Sequence, residues 1–175
     1  MRNTLKQPVP EQRSPSVESR VAIHRHPLHP IVVVYPIACL TLLLPADAVF
    51  LWSGDAFWAD VGWWLNLVGL AAGLLAAILG ISDMFLIRVA RRHVSAWSHF
   101  IAGVMLLALA ALGVWLRYPE PAAAGWWALL QSAATAGMVL VVGWLGGTLT
   151  FGHGIGVYGH RERDEASSAD RALDE

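Results

Sequence analysis

Residues Val61 to Ile87 read VGWWLNLVGLAAGLLAAILGISDMFLI, twenty-seven residues with one carboxylate, Asp83, and no basic side chain. At 1.5 Å per residue such a helix rises about 40 Å, and about 20 apolar residues already cross the hydrocarbon core of a bilayer. Three further runs qualify: Ile31 to about Trp52, Val94 to Leu116, and Trp126 to about Phe151. Hydrophobic residues make up 56% of the 175-residue chain and charged residues 14%. A soluble domain carries about 25% charge, so a soluble enzyme with a large core is excluded. Backbone groups in lipid must be satisfied within the segment, so each run is read as a helix.

The fold expected is all-α: a polytopic membrane protein with a four-helix bundle, its spans at about 31–52, 61–87, 94–116 and 126–151. The membrane domain is placed at 23–159. Residues 1–22 and 160–175 are polar and are read as disordered tails. Pro36 and Pro45 should kink the first helix. Basic residues fix the expected orientation. Arg2, Lys6, Arg13, Arg20 and Arg25 precede the first span, Arg88, Arg91 and Arg92 follow the second, and Arg161, Arg163 and Arg171 follow the fourth. Only Arg117 falls on the other side. The positive-inside rule puts both termini in the cytoplasm of a bacterium, with the spans in its inner membrane. Trp52, Trp58, Trp63, Trp64, Trp115, Trp126 and Trp127 gather at the opposite face, as an aromatic belt would.

Cys39 is the single cysteine, so an intrachain disulfide and a thiolate cluster are excluded. Gly69 and Gly73, continued by Ala76 to Gly80, and Gly143 with Gly147 have small-xxx-small spacing and are read as contacts within the bundle. The glycines at 152, 154 and 156 follow a membrane helix, so they mark a helix end and tight turn rather than a phosphate loop. No convincing internal repeat is read: a helix pair with a short acidic loop (Asp55, Asp60) followed by another pair gives only a weak two-fold rhythm.

With this topology all seven histidines fall on one side. His29, Asp83, His99 and His153 bring one candidate from each helix to the same layer; by helical rise His99 is about 8 Å into its span and Asp83 about 6 Å from the end of its own. Ionisable groups inside a span are costly and tend to be paired or functional. His26 is the expected second partner that orients the cluster, while His24, His93 and His160 are read as interfacial or tail residues. Asp47, Asn66 and Gln131 form a thinner layer near the other face, read as structural, with Asp47 capping a helix broken after Pro45.

HPLHPIVVVYPIA (26–38), GLLAAILGISD (73–83), a histidine early in the third span and GWLGGTLTFGHGIGV (143–157) resemble the bacterial membrane family called domain of unknown function 2231. The resemblance covers about residues 26 to 157 and falls on His26, His29, Asp83, His99 and the glycines at 147, 152, 154 and 156. It implies a four-helix integral membrane domain without an established activity. Similar domains occur fused to Rieske-type iron–sulfur domains, which implies a link to electron transfer.

Three readings follow. In the first, His99 with His29 or His153 ligates haem b, Arg88, Arg91 and Arg92 pair with its propionates, and quinone or a redox protein is the partner. In the second, His29, Asp83, His99 and His153 hold zinc, iron or copper. In the third, the cluster is interhelical glue in an accessory protein. A homo-oligomer is left open under all three. Protein-only catalysis fits least, since no serine, lysine or cysteine nucleophile lies beside a base in the membrane. Lipid is the one certain environment, and nothing in the charge pattern points to nucleic acid.

Overall fold

The computed structural model describes residues 17–156. Residues 1–16 of the expected first tail, and 157–175 with the whole expected second tail at 160–175 and His160, lie outside the described residues. Four helices, α1 (Leu28–Ser53), α2 (Ala56–Leu86), α3 (Val94–Arg117) and α4 (Gly125–Gly147), are long and apolar enough to cross a membrane. They run up and down, so the chain returns to the same end of the bundle after α2 and after α4. That end, where residues 17 and 156 meet, is called the terminal end below; the opposite one is the far end.

Each helix buries one narrow stripe with steps of three and four residues. On α1 it runs through Pro36, Leu40, Leu43 and Asp47; on α2 through Gly62, Asn66, Gly69, Gly73 and Ala76. On α3 it runs through Ala102, Leu106, Ala110, Gly113 and Arg117; on α4 through Ala128, Ser132, Thr135 and Val139. This is the 3.5-residue period of closely packed membrane helices. Helix α1 packs on α2 and α4, and α3 on α4 and α2, so α1 and α3 are diagonal across the bundle. Leu40, Leu106, Ala110 and Val139 form the central apolar layer.

Small residues of α2 set its approach to α1 at Gly69 and to α3 at Gly73, contacts within the bundle as the sequence suggested. A Cβ on Gly69 would stand 2.7 Å from the Leu40 side chain, and one on Gly73 would stand 2.8 Å from Leu107. The fourth helix departs from expectation. Gly143 faces open space and Gly147 meets only Phe151 of its own chain segment, whereas Gly146 takes the interhelical contact. The burial stripe of α4 passes through 142 and 146, not through 143 and 147.

Helix α1 begins three residues earlier than expected. Pro30 sits in its first turn, where backbone N–H groups have no intrahelical partner and proline is accommodated. The helix continues through Pro36 and Pro45 to Ser53, so Asp47 lies in its interior and caps nothing. Gly54, at φ 68°, and Asp55, which accepts from Phe57 N–H at 3.0 Å, complete the short turn into α2. After α4 the chain widens into a π-helical turn at Thr148–Gly152, and Gly154 and Gly156 have φ of 62° and 80°. The tight-turn reading therefore holds for those two glycines.

Residues 17–22 belong to the fold and not to a tail. Val17 pairs with Ile155, and a two-residue turn at His24 and Arg25 joins β1 (Ala22–Ile23) to β2 (His26–Pro27). Both turn residues have positive φ, the geometry that matches the twist of a tight hairpin.

Candidate functional site

The four-residue cluster expected at the terminal end separates into three parts. Asp83 is taken by the strap that precedes α1. Ser19 Oγ donates to its carboxylate at 2.6 Å, and the N–H groups of Arg20 and Val21 donate at 2.8 and 2.9 Å. His153 pairs instead with His93, ring centroids 4.8 Å apart, and shares a 3.2 Å hydrogen bond with Ser95 Oγ. His29 and His99 do come together, 6.3 Å apart and perpendicular. Among the described residues no three His, Cys, Asp or Glu side chains group as a metal site. His26 is exposed and contacts the His24 carbonyl at 2.9 Å, so it does not orient His29 through that ring nitrogen. Arg88, Arg91 and Arg92 are exposed on the turn between α2 and α3.

The His29 and His99 rings are seated in the same way. His29 Nδ1 lies 2.8 Å from the Ala76 carbonyl oxygen, and the ring packs on Gly80, one turn further along α2. His99 Nδ1 lies 3.2 Å from the Val142 carbonyl oxygen, and the ring packs on Gly146, one turn further along α4. In each case a glycine lets the imidazole reach the helix backbone: a Cβ on Gly80 would stand 2.9 Å from the ring, and one on Gly146 would stand 3.1 Å from it. A carbonyl accepts only, so each Nδ1 carries a proton, and in the neutral imidazole Nε2 is the nitrogen with a free lone pair.

The shared construction is one part of a repeat. His29 and His99 are 70 residues apart, and so are Asp47 and Arg117. The buried stripe Pro36, Leu40, Leu43, Asp47 on α1 falls on Leu106, Ala110, Gly113, Arg117 of α3 at that same interval. Gly62, Asn66, Gly69 and Gly73 of α2 fall on Ala128, Ser132, Thr135 and Val139 of α4 at an interval of 66. Two helical hairpins are thus related by an approximate two-fold axis along the bundle. Equivalent residues of the diagonal helices α1 and α3 meet on it, the histidines toward one end and Asp47 with Arg117 toward the other.

The far-end pair is the feature missed in the sequence. Arg117 is 1% exposed and Asp47 2%, and they form a salt bridge. Arg117 also donates to Gln131 Oε1 at 2.8 Å and to the Gly113 carbonyl at 3.1 Å. Gln131 in turn donates to the Leu109 carbonyl at 2.9 Å and to Thr135 Oγ1 at 2.8 Å. Gly62 makes room for Asp47 and Gly113 for Gln131, where a Cβ would stand at 2.8 and 2.6 Å. Asn66, fully buried, donates to the Ala110 carbonyl at 3.0 Å, while its Oδ1 has no partner among the described residues. This network ties α1, α3 and α4 together. The signal was available: Arg117 was the one basic residue assigned to that end, and Asp47 the carboxylate placed within a span there.

No curated protein and no solved structure matches the chain. The model of the family described as predicted membrane protein DUF2231 matches residues 25–159, which takes in all four helices and both polar centres. On that match the chain belongs to the DUF2231 family of membrane proteins.

Proposed function

We propose that this domain is a redox-linked membrane subunit that holds one haem b between His29 and His99. The observation that carries the reading is the geometry of that pair. His29 and His99 would hold the haem iron through their Nε2 atoms, two imidazoles being the most that a haem takes from protein. The centroids of His29 and His99 are 6.3 Å apart. Both Nδ1 atoms rest on backbone carbonyls, the outer hydrogen bond that orients a ligating histidine. The ligand count favours haem over a bare ion. Haem iron takes four nitrogens from its macrocycle and needs at most two from protein, whereas a tetrahedral zinc or copper site needs three or four. Gly103, one turn beyond His99, leaves open space where a side chain would stand. A bound haem would supply one-electron transfer; the protein's part is to fix the two imidazoles and exclude water.

We further propose that the terminal end faces the cytoplasm of a bacterial inner membrane. Arg20, Arg25, Arg88, Arg91 and Arg92 lie at that end, while Asp55, Asp60 and Glu120 lie at the far end and its one arginine is buried. The positive-inside rule reads this asymmetry directly.

The test is a dithionite-reduced minus oxidised spectrum of the full chain in mild detergent, expressed with haem precursor. The expected result is a Soret maximum with sharp α and β bands, lost in both His29→Ala and His99→Ala. A flat spectrum from folded protein overturns the haem reading, and elemental analysis of that sample then decides between a metal ion and an interhelical contact.

A further inference from the structure

The turn between α2 and α3 presents three arginines within five residues. Ile87 and Ala90, each 4% exposed, hold it to the bundle. The N–H groups of Arg92 and His93 donate to the Val89 and Ala90 carbonyls at 3.0 and 3.1 Å, closing a helical turn. Trp97 Nε1 donates to the Arg91 carbonyl at 3.0 Å and ties that turn to α3. With the inward positions taken by Ile87 and Ala90, Arg88, Arg91 and Arg92 are directed outward, and all three are exposed. None makes an ion pair among the described residues. The carboxylate best placed to neutralise them, Asp83, is occupied by Ser19, Arg20 and Val21.

Apolar surface surrounds this charge. Phe85 is 56% exposed, Val89 46%, Val94 80% and Trp97 42%. These residues stand where two helices long and apolar enough to cross a membrane meet at the terminal end. Three exposed guanidiniums beside exposed apolar side chains complement a molecule that is anionic at its head and apolar below it.

We propose that the α2–α3 turn is a binding site for the headgroup of an anionic phospholipid. The arginines take its phosphate through charge-assisted hydrogen bonds, and Val89, Val94 and Trp97 lie against its acyl chains. Guanidinium suits this role because its planar donors match phosphate oxygens in pairs. The site is independent of whether His29 and His99 hold a haem.

The test is native mass spectrometry of the full chain in detergent with phosphatidylglycerol and phosphatidylcholine supplied in equal amounts. Basic residues near an anionic membrane surface contribute about fivefold each, so phosphatidylglycerol adducts should exceed phosphatidylcholine adducts by tenfold or more. The ratio should fall to near one in the triple variant Arg88→Gln, Arg91→Gln, Arg92→Gln, and should drop about fivefold in each single variant. The singles keep the experiment decisive if the triple variant does not fold. Wild-type protein without a preference, or variants that keep it, overturn the proposal. Millimolar inorganic phosphate is the further arm: if it displaces the lipid and is itself retained, the site is for free phosphate and the lipid assignment fails.

Discussion

Arg117, the last residue of α3, turns back into the bundle and meets Asp47 of α1, and the two side chains are almost wholly sealed from their surroundings. In a symmetric pair of hairpins the residue at this position would face its own copy, and like charges would repel. Opposite charges at equivalent positions require two unlike hairpins, which the single chain provides. The histidines toward the other end face each other as like residues.

Removing one partner of the far-end pair should be far worse than removing both. Asp47→Leu or Arg117→Met alone leaves an uncompensated buried charge, with an expected loss of about 3–5 kcal/mol, whereas the double variant should recover most of it. Arg117→Lys should be intermediate, since one ammonium cannot reach Asp47, Gln131 and Gly113 as the guanidinium fork does. Thermal unfolding of the wild type and the four variants in one detergent checks this; additive effects of the two single changes would rule out a coupled pair.

The glycines beneath the histidines should be intolerant of a single methyl. Gly80→Ala drives a Cβ against the His29 ring, and an overpacked site of this kind costs about 1–3 kcal/mol. Gly146→Ala should do the same to His99 more mildly. Gly143→Ala meets open space and should be neutral or up to about 1 kcal/mol more stable through helix propensity. Melting temperatures of the three variants order these effects, and equal behaviour of Gly143 and Gly146 would contradict the seating described.

The strap before α1 should detach when Asp83 loses its acceptors. Asp83→Ala removes three hydrogen bonds to a carboxylate, each worth about 1.5–3 kcal/mol. Trypsin cleavage after Arg20 should accelerate at least tenfold, and the Arg20 and Val21 amides should exchange faster, with the spectrum of helix content unchanged. Unaltered cleavage would show that the Val17–Ile155 pairing holds the strap by itself.

Asn66 should be replaceable by leucine at little cost. The substitution gives up one hydrogen bond to the Ala110 carbonyl, which keeps its place in α3, and removes an unpartnered Oδ1. The expected change lies within about 1 kcal/mol. Asn66→Ala, which opens a cavity instead, should lose about 1–3 kcal/mol; a larger loss for leucine than for alanine would assign Asn66 a role beyond packing.

The sequence by itself determined the number of helices, their lengths within a few residues, the end to which each polar side chain belongs, and the tight turn at Gly154 and Gly156. Those follow from hydrophobic run length and helical rise, which depend on neighbours along the chain. Which polar groups meet was decided by tertiary structure. Depth in a helix is readable from residue count, but the direction a side chain takes depends on how the helices are rotated against one another. Asp83 and His99 share a depth, yet the strap holds one and a neighbouring helix the other. Arg117 counts as a loop residue by position, yet a single turn of helix brings it to the bundle axis. The equal interval from His29 to His99 and from Asp47 to Arg117 was present in the sequence, and it acquired meaning only when α1 and α3 were seen to face each other.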